Sequence, residues 1–131
     1  MKKKYLSKII ANDNEGLQMI SACCAGAEIK ISEIKYLQKN KVFLLSLRRN
    51  KIETENESNI VNSICKFEFV DSVKSKNINQ DEIDQKLELI TMDYLKNKDN
   101  YEISLIFTNN AYITLSTEII EVTLDDQNKI D

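Results

Sequence analysis

YEISLIFTNNAYITL, residues 101–115, is the stretch that decides the fold. Tyr101, Ile103, Leu105 and Phe107 recur with period two on one face of a strand, with Glu102, Ser104 and Thr108 opposite and Ile106 as the exception. The return strand places Ile113 and Leu115 on its apolar face. Residues paired across a hairpin share a face, so a two-residue loop at Asn109-Asn110 is excluded and a three-residue loop, Thr108-Asn109-Asn110, is predicted. That register pairs Phe107 with Ala111, Leu105 with Ile113 and Ile103 with Leu115. It also puts Asn110 in the left-handed conformation that Asn tolerates. A hairpin with one apolar face needs a cover.

The cover is predicted near the start of the chain. A strand over residues 5–11 runs into Asn12-Asp13-Asn14-Glu15, where Asn12 and Glu15 have capping-box spacing. Leu17, Ile20 and Cys24 then follow at helical spacing and Gly26 can close the turn, which predicts an amphipathic helix over 13–25. Residues 28–37 and 42–49 form a second hairpin around Lys39-Asn40, pairing Ile34 with Leu45 and Tyr36 with Phe43. Ile29 and Ile31 have the wrong parity for that strand, so a bulge or break is expected near Ser32-Glu33. Residues 51–62 are acidic and Asn-rich and read as a mobile surface loop. Residues 63–75 read as a strand whose change of parity marks a bulge, and 86–95 as a strand apolar on both faces, as a central strand or one bent across a core is. Residues 118–124 fit either a bulged strand or a short helix, with β-branched residues favouring strand; 125–131 read as a frayed tail.

These elements predict an α+β domain: a mostly antiparallel, strongly bent sheet or partly open barrel of about seven strands, with one helix after the first strand. A pleckstrin-homology-like barrel is the alternative, although its helix usually lies at the C-terminus. A chain of 131 residues fits one domain, 1–131, with a core over about 5–124.

Composition narrows the chemistry. With no His, the chain lacks imidazole acids, bases and metal ligands, and the two isolated glycines make no phosphate loop. No cofactor or metal is expected. A net charge of -3 argues against general nucleic-acid binding. Residues 1–51 carry 11 basic and 4 acidic side chains, whereas 52–131 carry 7 and 17, so the domain is either electrostatically two-sided or folds with its halves interleaved. No run approaches the roughly 18 apolar residues of a membrane span. MKKKYLSKIIAND is no secretory signal, so a cytoplasmic protein with Cys23, Cys24 and Cys65 as thiols is expected.

Three groups remain as candidate ligand-binding or acid–base residues. Glu118 and Glu121, with Glu68 and Asp126 as neighbours, would do acid–base work if one carboxyl were buried, and form a solvated edge otherwise. Arg48 and Arg49, at a strand end beside an acidic stretch, suit a carboxylate or phosphate, or equally a surface position or internal salt bridge. Cys23-Cys24 would be redox or metal thiols, but adjacent helical residues diverge, and Cys24 and Cys65 read as core.

The runs LSKIIANDNEGLQMISACCAGA, FLLSLRR, CKFEFVDSVKSKNI, LELITMDY and ITLSTEIIEVTLDD resemble a small uncharacterised bacterial family, a domain of unknown function about as long as this chain. The resemblance spans roughly residues 6–126. It includes Leu17, Ile20, Ser21 and Ala22 of the helix, Phe43, Leu47 and Arg49, and Glu118, Ile120, Glu121 and Leu124 near the end. The family tends to carry Phe-Asp-Trp after the position of Arg49 and a Trp near its C-terminus. Here Asn50, Lys51 and Ile52 follow, and Trp is absent, so no binding role for those aromatics carries over. The resemblance implies no activity. The sequence therefore points to a non-enzymatic binding or assembly module acting through a sheet face or edge, on itself as a homo-oligomer or on another protein. The alternative is a small-molecule-binding protein or small enzyme using carboxylates and Arg49. A lipid-surface binder, resting on Lys2, Lys3 and Lys4, is third.

Overall fold

The structure, a computed structural model, describes residues 7–54 and 57–130, with side chains throughout except at 51–54, 57–59 and 128–130. Along the chain run β1 (Lys8–Ala11), α1 (Asn14–Cys24), β2 (Glu28–Lys30), a 3-10 turn (Ile31–Glu33), β3 (Ile34–Leu37) and a second 3-10 turn (Gln38–Asn40). Then follow β4 (Val42–Thr54), β5 (Glu57–Phe67), β6 (Val70–Lys76), β7 (Lys86–Lys96), β8 (Tyr101–Phe107), β9 (Tyr112–Thr117) and β10 (Val122–Ile130). The strands pair antiparallel in the order β1-β10-β5-β4-β2-β7-β8-β9-β6, and β3 branches off β4.

The founding hairpin has the predicted register. Leu105 faces Ile113 and Ile103 faces Leu115, while Phe107 N–H donates to the Ala111 carbonyl over 2.9 Å. Both Asn109 and Asn110 take left-handed φ, 64° and 59°. The second hairpin pairs Ile34 with Leu45 and Tyr36 with Phe43. Its expected break is the 3-10 turn at Ile31–Glu33, which separates β3 from β2 and lets β2 lie between β4 and β7, paired with both.

The helix begins one residue later than capping-box spacing suggested. Asp13, not Asn12, is the N-cap, and its carboxylate accepts Gly16 N–H over 2.7 Å. Leu17, Ile20 and Cys24 are buried beneath α1, which lies against β7, β1 and β4. Ser21 on the same face accepts Met92 N–H over 2.9 Å, beside the register shift between Leu89 and Thr91 of β7. That bulge is what changes the parity of β7, and the serine satisfies a backbone donor near it.

Several expectations need correction. Ten strands are described instead of about seven, and the sheet is mostly β with a single α-helix. It is not closed into a barrel, so neither the partly open nor the pleckstrin-homology-like barrel describes it. Residues 51–54 and 57–62 are not a loop: they continue β4 and β5 as one long hairpin, because ladder hydrogen bonds override a polar composition. The strand predicted over 63–75 is two strands, since Phe69 at φ 59° turns the chain away from β5 toward β9. No helix forms at 118–121, and the tail at 125–130 is part of β10. Tyr5, Leu6, the three N-terminal lysines and Asp131 lie outside the described residues.

One apolar cluster joins the inner faces of the strands to the helix, with Phe43, Phe67, Phe107 and Met92 among its largest members. The basic and acidic halves interleave: β4 lies beside β5, and Lys41–Asp71, Lys86–Glu28 and Arg49–Asp126 ion pairs join one half to the other. No helix among the described residues is long and apolar enough to cross a membrane.

Candidate functional site

Two of the candidates meet where the sequence did not place them together. On the inner face of the sheet, Arg49 of β4, Ser63 of β5 and Asp126 of β10 lie two residues from Leu47, Cys65 and Leu124, so period two puts them on the same inward face as these apolar residues. Asp126 sits opposite Ser63, and Arg49 is diagonal to it. Arg49 Nη2 reaches both oxygens of Asp126, at 2.9 and 3.2 Å, and Nε donates to Asp126 Oδ1 at 3.3 Å and to Ser63 Oγ at 3.1 Å. Ser63 Oγ donates to Oδ1 over 2.7 Å, and Ser7 N–H reaches Oδ2 over 3.0 Å. The two charged side chains are 6% and 0% exposed. A bidentate pair with its spare lone pairs occupied is how two charges tolerate burial. Of the arrangements expected of Arg49, this is the internal salt bridge.

The remaining candidates are dispersed. Arg48 points to the other face and lies 3.5 Å from both Glu28 and Glu33. With Arg49, Gly26, Glu28, Asn50 and Ile60 it borders a cleft of about 200 Å³. Glu118 lies 3.6 Å from Lys41, which is held more tightly by Asp71 at 3.0 Å. The hydrogen bond that the Lys41 ammonium donates to Asp71, and then the charge of Asp71, raise the Lys41 pKa. Glu121 meets Glu68 where Glu68 N–H donates to the Glu121 carbonyl over 3.0 Å. The Glu121 carboxyl is raised from its ordinary value, first by hydrogen bonding with the Glu68 carboxyl, then by desolvation and like-charge repulsion, while Lys66 opposes the shift. Glu118 and Glu121 do not border the cleft that Arg49 lines. Cys24 and Cys65 are buried, and the Cys65 thiol is pushed well up, chiefly by its hydrogen bond with Cys24.

The most enclosed concavity among the larger clefts involves none of these residues. β3 and β6 flank it without pairing, and it holds about 390 Å³. Phe43 and Ile113 form its floor, Ile34, Tyr36 and Val73 its walls, and Ser32, Ser75 and Gln80 its polar rim. At one end Val70 N–H donates to the Lys41 carbonyl and Tyr36 Oη donates to the Val70 carbonyl, each over 2.8 Å. At the other, Ile31 and Ser32 N–H groups donate to Gln85 and Ile83, which brings the 77–85 connection across. A second cleft of about 430 Å³, more open, lies on the outer sheet face against Ile90, Ile106 and Tyr112.

Sequence reasoning missed this cleft because it arises where strands fail to pair. Its signals were the two parity breaks: the one at Ser32-Glu33 detaches β3 from β2, and the one between Val70 and Val73 bends β6 away. Asp126 was assigned to a tail and so was not seen as the partner of Arg49.

Residues 7–130 match the family described as "Protein of unknown function (DUF2948)". No curated protein and no solved structure matches the chain.

Proposed function

Given that the chain belongs to the DUF2948 family of proteins of unknown function, we propose that it is a non-enzymatic binding module whose ligand enters the cleft between β3 and β6. The observation that carries this is the cleft itself: two unpaired strand edges stand over a floor that reaches core residues Phe43 and Ile113. Its volume of about 390 Å³ is within the range of ligand sites, roughly 300 to 1,000 Å³. An apolar floor below a broad polar rim of Ser32, Tyr36, Ser75 and Gln80 suits a ligand that is apolar on one side and polar on the other. The dispersal of the acid–base candidates, and the commitment of Arg49 to Asp126, support binding over catalysis.

The test is titration of the full chain with 1-anilinonaphthalene-8-sulfonate, an apolar ring system bearing an anion. Saturable fluorescence enhancement is expected. Ser75→Trp, which fills the cleft from its rim, weakens binding by about tenfold or more, while Ser104→Trp at the outer cleft leaves it unchanged. Absence of saturable binding, or loss only in Ser104→Trp, would overturn the proposal. Unfolding midpoints for both variants separate loss of the site from loss of the fold.

A further inference from the structure

Resting on that reading of the cleft, we infer that its ligand is an extended acidic segment of another protein, which lies along β6 as an added strand. Such a segment would direct alternate apolar side chains into the cleft and alternate carboxylates toward Lys35, Lys74 and Lys76.

Three observations lead to this. First, β6 pairs only with β9 and β3 only with β4, so each has one edge without a strand partner beside the cleft. Alternate residues of such an edge direct N–H and C=O groups outward, which is the template for strand addition. Second, the residues of β6 divide by face in the way an added strand would read. Val73 and Ser75 line the cleft, whereas Lys74 and Lys76 are exposed and alternate with them. The side chains of an added strand would alternate likewise, apolar inward and charged outward. Third, the unpaired charge on the two strands is basic: Asp71 of β6 is held by Lys41, and the acidic Asp81, Glu82 and Asp84 lie on the connection at the far end of the cleft. Lys35 on β3, Lys39 in the 3-10 turn and Lys74 and Lys76 on β6 are exposed and make no ion pair among the described residues; Lys76 lies over the Tyr112 ring at 5.9 Å. Carboxylates level with these lysines gain opposite-charge cross-strand pairs. A second copy of β6 would bring two more lysines and a single carboxylate, Asp71, which Lys41 already holds, so the edge favours a foreign acidic strand over self-pairing.

The experiment uses the full chain and a fluorescein-labelled peptide of about eight residues alternating Val and Glu, long enough to follow β6. Comparison peptides alternate Val and Lys, or keep Val and Glu but carry N-methyl groups on every second amide. Fluorescence anisotropy is expected to show saturable binding of the Val/Glu peptide with displacement of anilinonaphthalene sulfonate. Both comparison peptides should bind at least about tenfold more weakly. In Lys74→Glu/Lys76→Glu the preference reverses, the Val/Lys peptide becoming the tighter ligand, a gain that misfolding would not produce. Equal binding of the N-methylated peptide would mean charge attraction without strand addition and would overturn the inference, as would an unchanged preference in the double variant. If the dye occupies the cleft and the peptide fails to displace it, the acidic-strand inference falls while the binding-module reading stands. If neither binds, both fall.

Discussion

Arg49 shows how a side chain that invites a ligand in sequence can be engaged in an internal ion pair in the fold. An arginine at a strand end invites a ligand, but period two carries it inward behind Leu47, where Asp126 and Ser63 complete its hydrogen bonds. Removing one member of a buried pair leaves an uncompensated charge, a cost of about 3 to 5 kcal/mol. Asp126→Ala should lower stability by that order in urea unfolding, and Arg49→Met combined with Asp126→Leu should recover most of the loss. An equal loss in the double variant would show that packing, not charge, sets the effect. Glu121 makes the opposite case, a carboxyl destabilised in its charged form by Glu68. Because its folded pKa lies above the ordinary 4.5, its contribution to stability is full below that value and is lost as pH rises through the folded value. Glu121→Gln should therefore flatten the fall in unfolding midpoint as pH rises from the ordinary carboxylate value of 4.5. An unchanged slope would count against the carboxyl pair.

At the scale of elements, local chemistry was legible where a single pattern governed and obscure where two competed. The hairpin at residues 101–115 followed from side-chain parity alone, down to the left-handed Asn110. The segment at 51–62 did not, because its polarity suggests solvent while the backbone ladder between β4 and β5 makes it strand. Helix α1 was visible from its apolar spacing, yet its junction with β1 depends on a contact between distant atoms. A Cβ built on Gly16 would stand 2.8 Å from Ala11 Cβ and 2.9 Å from its Cα, closer than packed carbons allow. Alanine would add about 1 kcal/mol of helix propensity. Overpacking against backbone costs about 1 to 3 kcal/mol, and this term wins. Gly16→Ala should thus lower the unfolding midpoint, whereas a rise would mean that β1 and α1 separate easily.

For the whole molecule, an antiparallel sheet with one covering helix could be read from the sequence, and its strand order could not. Neighbours such as β10 with β5 and β2 with β7 are far apart in the chain, a long-range choice that parity leaves open. The candidate cleft was hidden for the same reason: Tyr36 and Val73 are ordinary inward strand residues until β3 and β6 are brought face to face without pairing. Long-range closure also orders events during synthesis. Arg49 waits for Asp126, 77 residues further along, and Ser7 for the same aspartate, 119 residues along. While the chain emerges from the ribosome, the β4–β5 hairpin must present an unneutralised guanidinium on the very face that is to become interior. Without β10 that charge opposes burial of this end of the hairpin, so the strand that carries Asp126 is the one that permits it.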